Sequence, residues 1–196
     1  MYSKNIEDVP NTVAGAVTIA FVKIGILGLG FMGATHIGAF SKLPGVEVAA
    51  VSSGNALALS GDLSQTGGNL GREGGKYDFS NVRKYTDWRD LVADPDLDAV
   101  DICLPTDLHA PAAVAALQTG KHVYCEKPMG LTADECDHMI SQARQHNRIL
   151  MVGQVLRFWP AYLYLKQFIS GGEYGRIQTA TFVRRSGIPD WSKWLT

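Results

Sequence analysis

Six short apolar runs recur along the chain, at residues 22–27, 46–51, 82–85, 99–104, 122–125 and 149–152. Between them lie segments with helix signals. Thr86 stands as a cap before 87–93, and Asp94-Pro95 closes that helix. Pro111 occupies a first-turn position ahead of 112–119, with Gly120 as the stop. Thr132 and Glu135 have capping-box spacing at the head of a helix running to Gln145. Further helices are expected at 34–41 and 55–65. Short buried runs alternating with helices predict an α/β fold, a Rossmann-type doubly wound parallel sheet. In such a sheet the ligand crevice lies at the carboxyl ends of the strands. The residues singled out below fall at such ends: Gly28, Ser52, Leu104 and Glu126.

The first run passes directly into Gly28-Leu29-Gly30-Phe31-Met32-Gly33, a G-x-G-x-x-G turn that opens a helix. The first glycine permits the tight turn, the second lets the backbone approach a diphosphate, and the third lets helix and strand pack closely. The N–H groups and dipole at the helix start favour the anion. A carboxylate at the end of the second strand would bind both ribose hydroxyls and select NAD. This chain has Ser52-Ser53-Gly54-Asn55 there, and Glu47 lies too early in the strand. NADP is therefore favoured over NAD, with Arg72 a further candidate partner for a 2′-phosphate.

Glu126-Lys127-Pro128 follows the fifth strand. A lysine at the mouth of the sheet suits a group that hydrogen-bonds a substrate hydroxyl and stabilises charge on its oxygen as hydride leaves. From these three residues alone, a salt-bridged surface lysine is the usual reading.

The segments GLGFMG, AVDICLPTDLHAPAAVAALQTGKHVYCEKPM and GQVLRFWPAY occur in this order. With them the chain resembles the Gfo/Idh/MocA oxidoreductases over residues 22–194. The resemblance implies an N-terminal dinucleotide-binding domain at 21–153 and, at 154–196, the beginning of an incomplete α/β C-terminal domain concerned with substrate and oligomerisation. It implies hydride transfer between a nicotinamide cofactor and a sugar, inositol or related polyol. Lys127 would then be the active-site lysine. Phe31 and Met32 belong to the cofactor turn. Leu104, Pro105 and Thr106 would line the crevice, with His109 near the nicotinamide side. Glu126 would touch the cofactor or hold Lys127, and Gln154 and Arg157 would meet substrate, cofactor or the second domain. Family enzymes carry a later Asp/His motif in the C-terminal domain. No counterpart follows Lys127, and His138 and His146 fall before the sixth strand. The chain is accordingly read as an N-terminal portion lacking full activity. A non-enzymatic dinucleotide-binding regulator of the same fold is the alternative.

A formal net charge of -1 gives no electrostatic reason to expect nucleic acid or an anionic membrane as partner. The three cysteines, 103, 125 and 136, form no CxxC pair or zinc-like spacing; no metal is expected, and reduced thiols in a cytoplasmic protein are. Residues 12–34 are apolar, but five glycines interrupt them and Glu7 and Asp8 precede them, which speaks against a membrane span. Residues 1–20 are expected to be a disordered extension. Residues 160–170 read as an amphipathic helix stopped by Gly171-Gly172, and 177–185 alternates like a strand. The resemblance also implies an open antiparallel sheet in the C-terminal domain, through which full-length relatives are expected to form homo-oligomers.

Overall fold

The computed structural model describes residues 21–67 and 75–185. The expected extension at 1–20, Arg72 and the tail after 185 lie outside the described residues. The sheet has six parallel strands: β1 (Val22–Leu27), β2 (Val46–Ser52), β3 (Arg83–Tyr85), β4 (Ala99–Ile102), β5 (His122–Cys125) and β6 (Leu150–Val152). Their spatial order is β3-β2-β1-β4-β5-β6. The order reverses beside β1, so the crevice opens where β1 and β4 part.

Helices α1 (Phe31–Phe40), α2 (Ala56–Leu59), α3 (Trp88–Ala93), α4 (His109–Gln118), α5 (Ala133–Gln145) and α6 (Pro160–Gly171) complete the chain. Alternation along each strand feeds a core on either face of the sheet. Ile24 and Ile26 of β1 pack with Ala34 and Ile37 of α1, while Leu27 packs with Leu91 of α3 and Ala113 of α4. At Gly25 a Cβ would stand 2.6 Å from Leu91 Cδ2 and 2.8 Å from Leu97 Cδ1. Glycine is what lets α3 lie this close to β1.

Several boundaries differ from expectation. Asp87, not Thr86, caps α3, its carboxylate accepting from Arg89 N at 2.8 Å. The helix expected over 55–65 is one turn long: Asn55 caps it, and Gly61 turns the chain at φ 92° so that its carbonyl accepts from Tyr77 N at 2.8 Å. A Cβ at Gly61 would fall on the Tyr77 carbonyl oxygen. The capping box of Thr132 and Glu135 forms as expected. Helix α6 ends at Gly172, which adopts φ 67°. No strand forms over 177–185. Its alternating pattern finds no partner among the described residues, and an unpaired strand cannot satisfy its own backbone.

Candidate functional site

The turn after β1 is tied to its neighbours by main-chain bonds. Gly28 N donates to Ser52 O at 3.0 Å, and Cys103 N donates to Leu27 O at 2.8 Å. Gly28 has φ 94°, and a Cβ there would stand 2.7 Å from Cys103 O. At Gly33 a Cβ would land on the Gly28 carbonyl oxygen. Gly30 is different. Its φ of -77° is open to any residue, and no described atom lies within 4 Å of where its Cβ would sit. Neither backbone conformation nor packing among the described residues calls for glycine at 30.

Gly30 also starts α1, whose N-terminus receives no hydrogen bond from any capping side chain. The first N–H groups of a helix have no intrahelical partner. Here they face the crevice with Phe31 and Met32, both half-buried. This cradle fits a diphosphate. Ser52 is only 2 % exposed, and its main-chain carbonyl at the end of β2 accepts from Gly28 N. Ser53 is half-buried and accepts from Asn55 N at 3.1 Å. Glu47 pairs in register with Lys23, at the opposite end of β2 from the crevice.

Beyond β4, Leu104 and Thr106 are half-buried and Pro105 is exposed, leading through a 3₁₀ turn into α4. His109 is buried. Its Nδ1 lies 2.7 Å from Pro128 O and its Nε2 lies 2.8 Å from Leu104 O. With both ring nitrogens engaged by carbonyls, His109 braces the two loops from beneath. Lys127 is exposed at the end of β5, followed by a cis peptide to Pro128, and no described carboxylate lies within ion-pair distance of its ammonium. Gln154 and Arg157 are exposed beyond β6.

Glu126 is buried, with its carboxylate divided between two partners. Oε2 accepts from Lys127 N at 3.0 Å, and Oε1 lies 3.3 Å from Nε2 of His36. His36 carries no motif that marks it in the sequence. It projects from α1, and its Nδ1 stands 2.8 Å from Oδ2 of Asp101, a fully buried residue of β4. Cys103 Sγ lies 3.3 Å from the same nitrogen. Burial pushes His36 down, but hydrogen bonds with Asp101, Cys103 and Glu126 overcome it and raise the imidazole to about 12. Burial pushes Asp101 up against the pull of His36, while hydrogen bonds from His36 and Lys127 N outweigh burial at Glu126 and hold it below the usual carboxylate range. Burial takes the Cys103 thiol to about 12, an unreactive state. The donor atoms of His36, Asp101 and Cys103 lie within 4.8 Å of one another. The 2.8 Å contact between His36 and Asp101 has hydrogen-bond length, so a proton suffices to hold it. One visible signal did exist: Asp101 is a charge in the middle of a buried strand, and such a charge needs a partner.

A glycine turn leading into an uncapped helix, at the switch point of a parallel sheet in this order, defines a dinucleotide-binding domain. Comparison with known proteins is specific about which kind. Residues 22–154 match the profile of the oxidoreductase family with an NAD-binding Rossmann fold, and the chain belongs to that Gfo/Idh/MocA family. It is 34% identical over 172 residues to levoglucosan dehydrogenase of Pseudarthrobacter phenanthrenivorans, covering 87% of this chain and 42% of that protein. It is 35% identical over 158 residues to inositol 2-dehydrogenase of Salmonella typhimurium, covering 79% of this chain and 43% of that protein. The structure of scyllo-inositol dehydrogenase from Lactobacillus casei, with bound NAD(H) and scyllo-inositol, superposes with a TM-score of 0.66 at 30% identity, over 79% of this chain and 42% of that one. The chain thus spans about two-fifths of the length of these relatives. Among the described residues no helix is long and apolar enough to cross a membrane.

Proposed function

We propose that this chain is the nucleotide-binding part of an NAD(P)-dependent oxidoreductase acting on a sugar, inositol or related polyol, with NADP preferred. Gly30 carries the reading: an open cradle at an uncapped helix N-terminus, where no described atom fills the place of the missing side chain. The relatives named above as dehydrogenases of levoglucosan and inositols support the substrate class.

When bound, the nicotinamide supplies the hydride acceptor or donor. The amides at the start of α1 hold the diphosphate, and Leu104, Pro105 and Thr106 form the wall beside it. Lys127 hydrogen-bonds the substrate hydroxyl and stabilises negative charge on its oxygen as the C–H bond breaks. Glu126 fixes the main chain that carries Lys127. Gln154 and Arg157 begin the unit that meets the substrate from 154 onward. The preference for NADP rests on the lack of a carboxylate in Ser52-Ser53-Gly54-Asn55. Titration of NADPH and NADH into the wild type and Ser53→Asp tests it. The wild type is expected to favour NADPH and the variant to shift toward NADH by about tenfold, the scale of one charged contact. Equal affinities in both proteins would remove the basis for the preference.

A further inference from the structure

The proposed chemistry leaves His36 without a task, although it spends two buried carboxylates. We propose that His36 is a positioning residue: by bridging α1 to Glu126, it fixes the Glu126-Lys127-Pro128 turn against the helix that receives the diphosphate, and so sets where the Lys127 ammonium stands relative to the nicotinamide. The proposal rests on the dinucleotide reading of the crevice.

The connection is continuous at the level of atoms. His36 lies three residues beyond Gly33, inside the helix whose N-terminus forms the cradle. Its Nδ1 is anchored 2.8 Å from Asp101 Oδ2 in the middle of the sheet. This anchor aims Nε2 at Glu126 Oε1, 3.3 Å away, and the other oxygen of Glu126 holds Lys127 N at 3.0 Å. The Tyr124 and Phe40 rings lie 5.5 and 6.2 Å from the imidazole centroid. Gly153 leaves room on the far side: a Cβ there would stand 3.3 Å from Glu126 Oε1 and 3.1 Å from Tyr124 Oη. The floor of the cradle joins the same cluster, since Cys103, whose carbonyl abuts Gly28, places its thiol against His36.

Fastening α1 to the sheet does not require this arrangement. Ile37, one residue on, already buries an apolar side chain between them. Apolar replacement of a buried ion pair is often neutral or stabilising. What the charges add is direction, because a cation with two fixed acceptors admits one orientation.

The two arms of the ring are separable by substitution. The amide of asparagine reaches the place of Nδ1, and that of glutamine reaches the place of Nε2. His36→Asn therefore keeps the Asp101 arm and cuts the Glu126 arm, whereas His36→Gln does the reverse. Each protein is titrated with NADPH and with 2′-phospho-ADP-ribose, which lacks the nicotinamide. In His36→Asn, NADPH affinity is expected to fall about tenfold, the scale of one charge-assisted hydrogen bond, while the truncated ligand stays within about twofold. His36→Gln, which keeps the Glu126 arm but loses the Asp101 anchor, is expected to recover NADPH binding in part. Equal weakening of both ligands in His36→Asn, or a glutamine variant as impaired as the asparagine one, would overturn the proposal by showing general loosening of α1. So would a wild type that binds both ligands equally, since no nicotinamide contact would then exist to position. If a thermal melt shows His36→Asn unfolded, Glu126→Gln carries the test. It weakens the His36–Glu126 contact while leaving every residue of α1 in place, and the same selective loss is expected, with equal loss counting against the proposal. A wild type that binds neither ligand would instead refute the dinucleotide reading itself.

Discussion

Replacing Gly30 by alanine separates the demands of folding from those of the ligand. At this N-cap position the backbone has φ -77° and ψ -164°, which alanine adopts freely. The new Cβ meets no described atom within 4 Å. Alanine is the poorer cap, by a few tenths to about 1 kcal/mol. It also restricts the unfolded chain, which stabilises by about 0.4–1 kcal/mol. The two effects nearly cancel, so the melting temperature is expected to move by no more than about 4 °C. Binding is another matter. The Cβ occupies the space through which the diphosphate reaches the first amides of α1. Losing one or two charge-assisted hydrogen bonds, each worth about 1.5–3 kcal/mol, weakens NADPH at least about tenfold. Gly33→Ala is the contrasting perturbation. Its Cβ would fall on the Gly28 carbonyl, a backbone atom with no room to yield, and overpacking of this kind costs about 1–3 kcal/mol. A calorimetric titration and a thermal melt on each variant decide the matter. Gly30→Ala that binds NADPH like the wild type, or melts as low as Gly33→Ala, would refute the assignment of this turn.

Asp94 supports the far edge of the sheet, accepting from Arg83 Nε at 2.6 Å, Tyr85 Oη at 2.9 Å and Asp96 N at 3.0 Å. Asp94→Ala is expected to destabilise by about 2 kcal/mol in a denaturant melt, a figure reduced because Arg83 is 39% exposed; no change would mean that the network is decorative. The His36 cluster predicts a pH profile. A group raised from 6.5 to about 12 on folding contributes fully below 6.5 and loses its contribution as pH rises. Raised Asp101 acts in the same sense above 3.8, whereas lowered Glu126 contributes above 4.5 and loses its contribution as pH falls. Stability is therefore expected to decline from pH 6.5 to 8.5, by at most about 1.4 kcal/mol per unit for one proton, and less steeply in His36→Gln. A flat wild-type profile would show that the imidazole is not held protonated.

The parts of the fold legible in the sequence are those determined locally. Val22–Leu27 reads as a buried strand because it is apolar and ends in glycine, and Thr132 with Glu135 forms its capping box within four consecutive residues. The glycine turn was legible for the same reason. Helix ends were less so: Thr86 and Asp87 are both competent caps, and only the path of the chain chooses Asp87. The alternation over 177–185 forms no strand because a strand is a property of a pair, and no partner lies among the described residues. The cluster around Glu126 was hidden more deeply. Its members come from α1, β4 and β5, with 65 residues separating His36 from Asp101 in the chain, and no local spacing announces them. His109 shows the converse. The resemblance placed it near the nicotinamide side, and in the structure Leu104 O and Pro128 O engage both of its nitrogens.

A structure of the chain bound to NADPH bears on all of this at once. Phosphate oxygens within hydrogen-bond distance of the amides that open α1, with the Lys127 ammonium beside the nicotinamide ring, are the predicted result. A diphosphate seated elsewhere, or a ring turned away from Lys127, would contradict it.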